Sequence, residues 1–417
     1  MVATSLPFWM QGTGRPMMPL WSERQVKDPP LAPRRPARGF ATGAVMVEPC
    51  RAGDLEQHVE AWADLADRAL EPNAFCDPGF ALAAMLHLPV TERPEALLCW
   101  EGRQEGEHAL IGVLLFRSSR VLMSPRVAVA WTHPLWVTGA PLLDRSRAAV
   151  AFDAMLGWMS SRPDLRGGLL LQGIVRGGAL HRLFEAGQHR RSAVLEERSR
   201  AVAVHAGALH AGTAGPSAKR AKEMRRQARR LGAEGLRSAT ALDDVAAATE
   251  RFLALEARGW KGRGGTALLC DSHAATFTRV MTRLMALRGR CSIEELTVEG
   301  EPVAMGIVLR QGDRAFWWKT AYDETAGRCS PGKLLANAIA LRNGEDPSLA
   351  LTDSCAVPDH PMIDRVWPGR LTVMDALVAG PGDRQSDFTR AVRGLRVARA
   401  GRRLLKTLYL RLRSRKA

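Results

Sequence analysis

Residues 323–342 combine residue types that can bind an anion. An apolar run, 315–322, leads into a loop of small and basic residues and then into a helical pattern. Free N–H groups and the helix dipole make a helix N-terminus favourable for phosphate, and glycine there lets the backbone approach a ligand closely. The sequence therefore predicts a phosphate site. Its residues are Arg328, Ser330, Pro331, Gly332 and Lys333.

Two predicted strands, 303–310 and 315–322, precede this loop. An exposed strand edge can bind an amide-rich chain as though it were a further strand. A strand edge that leads to a phosphate site suits coenzyme A, which has an amide-rich pantetheine arm and an anionic pyrophosphate. We therefore predict acetyl-CoA or another acyl-CoA as co-substrate at residues 304–342, with Val308 among its contacts. An ordinary strand–loop–helix connection is the alternative explanation.

Transfer of an acyl group to an amine needs a base, a donor for the oxyanion and an acid for the leaving thiolate. Tyr322 ends the predicted cofactor strand and is a candidate acid, or a strand-end aromatic residue. Asp353 ends a short predicted strand, 349–353, at an edge of the sheet where ligands often bind, and is a further candidate catalytic residue. His360 is a candidate base that Asp364 would orient, or a histidine that caps a loop.

Five further residues are predicted to contact the substrate. Lys319, on the strand 315–322, would bind an acidic group or face solvent. Arg258 and Trp260 end a helix before a glycine-rich stretch that is either a substrate lid or a surface loop. Asn73 and Phe75 would line an acceptor pocket between two halves of the chain, or simply pack there.

The cysteines and histidines predict no metal site and no disulfide framework. The seven cysteines form no C-x-x-C pair, and the ten histidines show no ligand spacing. No apolar run approaches the ~20 residues that cross a bilayer, and no signal-peptide pattern is present. We expect a cytoplasmic protein.

The net charge of +16 is concentrated at the two ends of the chain. Residues 1–44 carry +4 and residues 388–417 carry +11, which leaves about +1 for the rest. A nucleic-acid-binding module would carry its charge on the folded domain. Nucleic acid is therefore not an expected partner, except for tRNA in one alternative below.

Composition and periodicity divide the chain into four parts. Residues 1–44 are rich in Pro, Gly and Arg and predict a disordered leader. Residues 45–210 and 217–380 each contain a hairpin, a small-residue loop, a helix and a short strand in the same order, which indicates a duplicated αβ unit. Residues 385–417 predict a basic amphipathic helical tail.

Hydrophobic periodicity predicts the elements of these parts. The predicted helices are 55–69, 146–160, 216–231 with Ser217 as its cap, 241–258, 274–287, 333–342 and 388–416. The predicted strands are 96–100, 109–116, 127–132, 168–174, 291–298, 303–310, 315–322 and 349–353. The fold class is therefore α/β (α+β), with mixed sheets flanked by helices.

Several motifs resemble one family. The strings are S-x-K-R-x-x-x-M-R-R-Q-x-R-R-L (217–231), F-L-x-L-E-x-R-G-W (252–260), G-E-P-V-A (300–304), A-Y-D-E (321–324) and S-P-G-K-L-L (330–335). They resemble the BioF2-like or CelD-like acetyltransferases of the GNAT superfamily, and E-P-N-A-F-C-D-P-G-F (71–80) is similar to the N-terminal half of that group. The resemblance implies a tandem GNAT arrangement like that of Fem-type transferases.

The resemblance also implies an activity. It points to N-acyl transfer, with acetyl as the expected group, onto a small-molecule amine or amino sugar, with a link to polysaccharide biosynthesis. In this chain a glycine lies four residues after Arg328, whereas in the standard GNAT loop the glycine lies three residues after the arginine or glutamine. Fem-type relatives with altered loops use aminoacyl-tRNA, so that donor is one alternative. A non-catalytic partner of a membrane polysaccharide synthase is another.

The C-terminal tail, 388–417, has apolar residues every three or four positions with arginines between them. Such a helix suits an anionic membrane surface and predicts peripheral association at the inner face of the membrane. A helix docked on its own domain and a nucleic-acid tail are the alternatives. The helix 216–231, with seven Lys/Arg, would contact an acidic substrate or RNA, or present a solvated basic face.

Overall fold

A computed structural model describes residues 43–89, 91, 93–103, 107–120, 124–187, 191–205 and 218–414. Nearly all of the predicted leader and the predicted cap Ser217 lie outside these residues. The described part of the chain is a mixed α/β structure with helices on both faces of one large sheet. The predicted fold class is confirmed.

The sheet has 13 strands. In chain order they are β1 (Val45–Cys50), β2 (Glu95–Gly102), β3 (His108–Ser119), β4 (Val127–Ala130), β5 (Leu142–Leu143), β6 (Leu169–Val175), β7 (Ser192–Val204), β8 (Leu236–Ala239), β9 (Cys291–Val298), β10 (Glu301–Gln311), β11 (Arg314–Tyr322), β12 (Leu351–Asp353) and β13 (Gly369–Val378). Their spatial order is β1-β2-β3-β4-β6-β13-β7-β12-β11-β10-β9-β8, and β5 pairs with β3.

The strand order contains the same pattern twice. In the first half, antiparallel β1 to β4 are followed by β6, which pairs parallel to β4. In the second half, antiparallel β8 to β11 are followed by β12, which pairs parallel to β11. The last strand of each half pairs with a strand of the other half. β7, from the first half, pairs with β12, and β13, from the second half, pairs with β6. Two mixed units are thereby joined through one continuous sheet.

Ten α-helices cover the described sheet. They are α1 (Val59–Asp67), α2 (Pro78–His87), α3 (Ala148–Ser161), α4 (Ala179–Ala186), α5 (Ala218–Leu231), α6 (Leu242–Arg258), α7 (Trp260–Arg263), α8 (Ser272–Leu287), α9 (Pro331–Gly344) and α10 (Gln385–Ser414). Side chains of α2, α6 and α8 share one core with strands of both halves, and α9 packs on the opposite face of the second half.

Buried polar contacts hold the two halves together. Asp77 caps α2 by accepting from the Gly79 amide at 2.9 Å and also accepts from Arg288 and Arg290 of the second half. The Gln311 side chain accepts from the Asn73 amide at 2.9 Å. A buried charge is retained at low cost only when it is paired, so these contacts fix how the halves meet.

The predicted helix 55–69 is α-helical only from Val59, and two 3-10 turns precede it. The strands β7 and β13 were missed by the sequence analysis. β7 carries charged residues that pair inside the sheet: Arg198 and Arg200 contact Asp375 and Asp353. Such strands lack the apolar alternation on which prediction depends.

The basic tail is partly a core element. Phe388, Ala391, Val392 and Leu395 are buried against the sheet, and Arg399 donates to Asp375 at 2.7 Å. Residues 401–405 are exposed, Leu404 and Leu405 among them. The described helices include none with the length and apolar character needed to span a bilayer.

Candidate functional site

A gap opens in the sheet between β11 and β12. The two strands pair only at Arg314–Leu351, Ala315–Thr352 and Phe316–Asp353. β12 then ends, whereas β11 continues through residues 317–322, which span about 20 Å at 3.3 Å per residue. No described strand pairs with this stretch on the β12 side. Such an edge can accept an added chain.

The open stretch of β11 leads to the start of α9. Pro331 occupies the first turn, where its missing N–H costs nothing, so the helix begins two residues before the predicted start at Lys333. Ser330 precedes it in a left-handed conformation with φ 52° and makes no side-chain cap. The amides of Lys333 and Leu334 both donate to the Ser330 carbonyl, at 2.9 and 3.2 Å. The Gly332 amide has no partner among the described residues.

Two cations flank this uncapped N-terminus. Arg328 is exposed in the turn before α9, and Lys333 is half-buried in its first turn. Neither forms an ion pair with a carboxylate in the part of the chain that the structure describes. An unpaired amide, a helix dipole and two uncompensated cations are features that favour an anion, and we call this end of the gap the anion end.

Gly332 also faces the ring of Tyr322. A Cβ at this position would lie 3.4 Å from Cδ1 of the tyrosine, so the ring covers the start of α9. Tyr322 therefore lies at the anion end of the gap. Val308 is on β10, which β11 separates from the gap, and its side chain is in the core beside α9.

Lys319 lies midway along the open stretch, three residues from Phe316 and three from Tyr322. β11 has a bulge opposite Ile307 and Val308, and the extra residue, Trp318, turns Lys319 onto the face that carries Ile307. Lys319 Nζ lies 5.6 Å from the centroid of the Trp318 ring. Burial, reinforced by the charge of Lys261 and opposed by Glu256 and Cys355, lowers the pKa of Lys319 to about 8.

Lys261 and Glu256 support the middle of this open stretch. Lys261 Nζ donates to Glu256 at 2.7 Å and to the Thr320 carbonyl of β11 at 3.0 Å. The other oxygen of Glu256 accepts from the Leu268 amide at 2.8 Å. The sequence analysis assigned a role to neither residue, although Glu256 lies within the F-L-x-L-E-x-R-G-W string.

Trp260 and Arg258 take different positions beside the site. The Trp260 amide and the Arg263 guanidinium both donate to Glu324, which follows β11. Two of the motif strings, 252–260 and 321–324, therefore meet in space. Arg258 is exposed at the end of α6, and its carbonyl accepts from Arg263 at 3.4 Å.

Asp353 is held in a buried ion pair. Its two oxygens accept from Arg200 Nε at 2.7 Å and Nη2 at 2.6 Å, and Oδ1 also accepts from the Cys355 amide at 2.9 Å. Burial alone would lower the pKa of Arg200, but the charge and hydrogen bonds of Asp353 raise it. With both oxygens occupied, the geometry gives Asp353 the role of an anchor between β7 and β12.

His360 caps a 3-10 turn, Ile363–Arg365. Its Nδ1 accepts from the amides of Met362 and Ile363 at 3.3 and 3.4 Å. Burial lowers the pKa of His360, and Asp364 opposes this change. A neutral imidazole that accepts at Nδ1 carries its proton on Nε2, so it can donate but not accept there. No hydrogen bond joins Tyr322, Asp353 and His360.

Asn73 and Phe75 lie between the halves, as the prediction expected. The Asn73 side chain donates to the Ala140 carbonyl at 2.7 Å, and Phe75 packs edge-to-face on Phe80 and Phe316. Both line a small cleft with Trp131 and Trp136 of the first half. These contacts account for both residues as packing and turn residues; acceptor binding there stays a prediction.

The family comparison concerns the second half. Residues 218–346 match the model of the acetyltransferase (GNAT) domain. The match contains β8 to β11, α9 and the end of the gap beside α9, so this part of the chain is similar to that acetyltransferase domain. The narrower BioF2-like or CelD-like grouping stays a prediction. The comparison with curated proteins finds no match.

Solved structures of similar shape include three proteins of low identity. One is the C-terminal domain of a protein described as a lysylphosphatidylglycerol synthetase from Agrobacterium fabrum, with 12% identity, coverage of 82% of this chain and 96% of that one, and a TM-score of 0.49. A tandem GNAT protein from the clavulanic acid biosynthesis pathway has 15% identity, coverage of 82% and 100%, and a TM-score of 0.38. FemX has 6% identity, coverage of 75% and 95%, and a TM-score of 0.45.

Proposed function

We propose that the chain transfers an acyl group, acetyl in the simplest case, from acyl-CoA to the amine of a small molecule or amino sugar. The observation that carries this proposal is the open edge of β11 that ends at an uncapped helix N-terminus with two unpaired cations. An acyl-CoA presents the matching features in the same order, a thioester, an amide-rich arm and a pyrophosphate.

In this proposal the pantetheine arm lies along residues 317–322 as an added strand. The pyrophosphate accepts from the Gly332 amide and is neutralised by Arg328 and Lys333, with Ser330 and Pro331 shaping the turn. Because the open stretch is about 20 Å long and Lys319 lies midway along it, about 10 Å from Tyr322, we place the thioester on the Lys319 side of the pyrophosphate. Tyr322, at the pyrophosphate end, would then contact the donor away from the reacting carbon.

The reaction forms a C–N bond and breaks the thioester C–S bond. The acceptor ammonium loses one proton before attack, its nitrogen loses a second as the amide forms, and the thiolate gains one on leaving, so one proton is released overall. Lys319 is the proposed base, because a lowered pKa leaves part of its population neutral near pH 8. Backbone N–H groups of the open β11 edge are the proposed donors to the oxyanion. The protonated Lys319 amine then returns its proton to the departing thiolate.

Isothermal titration of the full chain with acetyl-CoA tests the donor site. Arg328→Ala and Lys333→Ala should each weaken binding roughly 10- to 100-fold, because a charge-assisted hydrogen bond contributes about 1.5–3 kcal/mol. Arg384→Ala is a matched control, since Arg384 is exposed at the start of α10. The donor site is mislocated if all three variants bind like the wild type. Acyl-CoA is the wrong donor if the wild type does not bind at millimolar ligand.

A second donor class, aminoacyl-tRNA, has one observation in its favour. The basic helix α5 packs against α9 and the turn Gly327–Cys329, so its charge borders the proposed anion site. Lys222, Arg225 and Arg229 are exposed there. A charged tRNA that binds with micromolar affinity, together with no acetyl-CoA binding, would favour this donor.

We also propose that the distal part of α10 associates with an anionic membrane surface. If the acceptor belongs to polysaccharide synthesis, it would be located at that surface. Arginines surround the exposed Leu404 and Leu405. Deletion of residues 401–417 leaves the docked turns intact and should abolish sedimentation with anionic vesicles. Equal sedimentation of both forms would refute this part of the proposal.

A further inference from the structure

A second group of chemically reactive side chains lies in the first half, on the edge strand β1. Glu48 and Cys50 are two residues apart and therefore project from the same face of the strand. His58 ends the 3-10 turn Glu56–His58, directly before α1. One carboxylate oxygen, the Cys50 sulfur and one His58 ring nitrogen all lie within 4.8 Å of one another.

The group contains a polar atom that the protein does not satisfy. His58 Nε2 is buried and has no hydrogen-bond partner among the described residues. A buried polar atom without a partner costs about 1–3 kcal/mol, so such an atom requires an explanation. The Cys50 side chain is buried and in no disulfide.

Trp100 orients two of the three groups. Its indole N–H donates to Glu48 Oε2 at 3.0 Å, which leaves Oε1 for another partner. The His58 ring packs edge-on against the same indole at 5.1 Å between centroids. Metal sites in proteins typically include a residue that does not bind the metal itself but holds the ligand side chains in position.

We propose that Glu48, Cys50 and His58 bind a divalent transition-metal ion of the zinc type, with water completing the coordination. Sulfur, imidazole nitrogen and carboxylate oxygen are the donors that Zn²⁺ takes in proteins. A thiolate and a carboxylate together balance the two positive charges, so the half-buried complex is neutral. The ion would clamp β1 to the start of α1.

Ligation of the metal predicts a measurable proton balance. The thiolate, not the thiol, is the form of cysteine that binds a metal, so the Cys50 thiol gives up its proton when it becomes a ligand. Metal binding forms the sulfur–metal bond and releases that one proton to the buffer.

The test uses the chelator-treated full chain and two metals alone, Zn²⁺ and Co²⁺. We expect one Zn²⁺ per chain, about one proton released in titrations across buffers of different ionisation enthalpy, and a thiolate-to-cobalt charge-transfer band with Co²⁺. Cys50→Ser should remove the band and weaken Zn²⁺ binding at least 100-fold. Cys270→Ser is the matched control, because Cys270 is exposed and outside the group.

Three outcomes overturn the proposal. Saturable binding that survives in Cys50→Ser would be adventitious, and a wild-type chain without a charge-transfer band would exclude thiolate ligation. If Cys50→Ser does not fold, His58→Gln provides the second variant. Without metal, this variant should unfold at the same temperature as the wild type. Zn²⁺ should raise the unfolding temperature of the wild type but not that of His58→Gln. An equal increase in His58→Gln would also refute the site.

Discussion

The Asp353→Asn substitution tests whether this carboxylate holds the sheet together or accepts a proton in catalysis. Arg200 is 7% exposed and Asp353 is 0% exposed, and two hydrogen bonds of 2.6 and 2.7 Å join them. Asparagine keeps the shape but removes the charge, which leaves a buried guanidinium unpaired. Loss of one partner of a buried pair costs about 3–5 kcal/mol.

Urea unfolding, followed by tryptophan fluorescence, measures this cost. Glu250→Gln is a suitable control, because Glu250 and Arg279 form a comparable pair whose side chains are 48% and 35% exposed. Such an exposed pair contributes about 0–1 kcal/mol. Replacing both buried partners, in Arg200→Met with Asp353→Leu, should recover most of the loss, since no unpaired charge remains.

Stability and activity of Asp353→Asn together decide between the two roles. Our structural assignment of Asp353 is wrong if Asp353→Asn unfolds with a free energy like that of Glu250→Gln and yet loses acyl transfer. In that case the carboxylate would act in the chemistry, as the sequence analysis predicted. A destabilised variant with residual turnover in proportion to its folded fraction supports the anchoring role.

Three further predictions concern Lys319, Gly332 and Arg290. Lys319 has a lowered pKa, so above pH 8 the unfolded chain binds more protons than the folded one, and stability should rise with pH between about 8 and 10.5. Lys319→Met should lose this rise in urea midpoints, and a wild type without it would refute the burial of the amine. Gly332→Ala should fold normally, because its Cβ meets Tyr322 at an ordinary 3.4 Å, and an aggregated variant would contradict that fit. Arg290→Met should lower the unfolding free energy by about 3 kcal/mol, because Asp77 is 0% exposed; no change would show that this contact does not hold the halves together.

The strand, loop and helix of residues 304–342 could be predicted from the sequence because their signals are local. An apolar strand, a small-residue loop and a helix follow one another within 304–342, and the structure differs from the predicted bounds by one or two residues. The helix begins early for an equally local reason, the fit of Pro331 to the first turn.

The role of Asp353 could not be found in this way. Its partner Arg200 is 153 residues away in the chain, and the strand that carries Arg200 reads as polar. The same applies to Lys319, whose environment depends on a bulge at Trp318 and on Lys261 from another element. Pattern reading identifies a charged residue but not the long-range contacts that decide its role.

The first half provides an internal comparison for the proposed donor gap. β4 and β6 pair only at Ala128–Leu169 and Val129–Leu170, so they also diverge. There the chain itself enters the gap, since the Gly139 amide donates to the Gln172 carbonyl at 2.9 Å.

This internal segment fits closely against the neighbouring strand. A Cβ on Gly173 would lie 2.1 Å from the Val137 carbonyl, so glycine is required at that contact. A peptide thus occupies, in the first half, the place that we assign to an amide-rich arm in the second. In the duplicated unit, the gap of the first half is filled by the chain itself, and the gap of the second half is left for the proposed donor. The proposed anion site beside α9 is therefore the place to test donor binding.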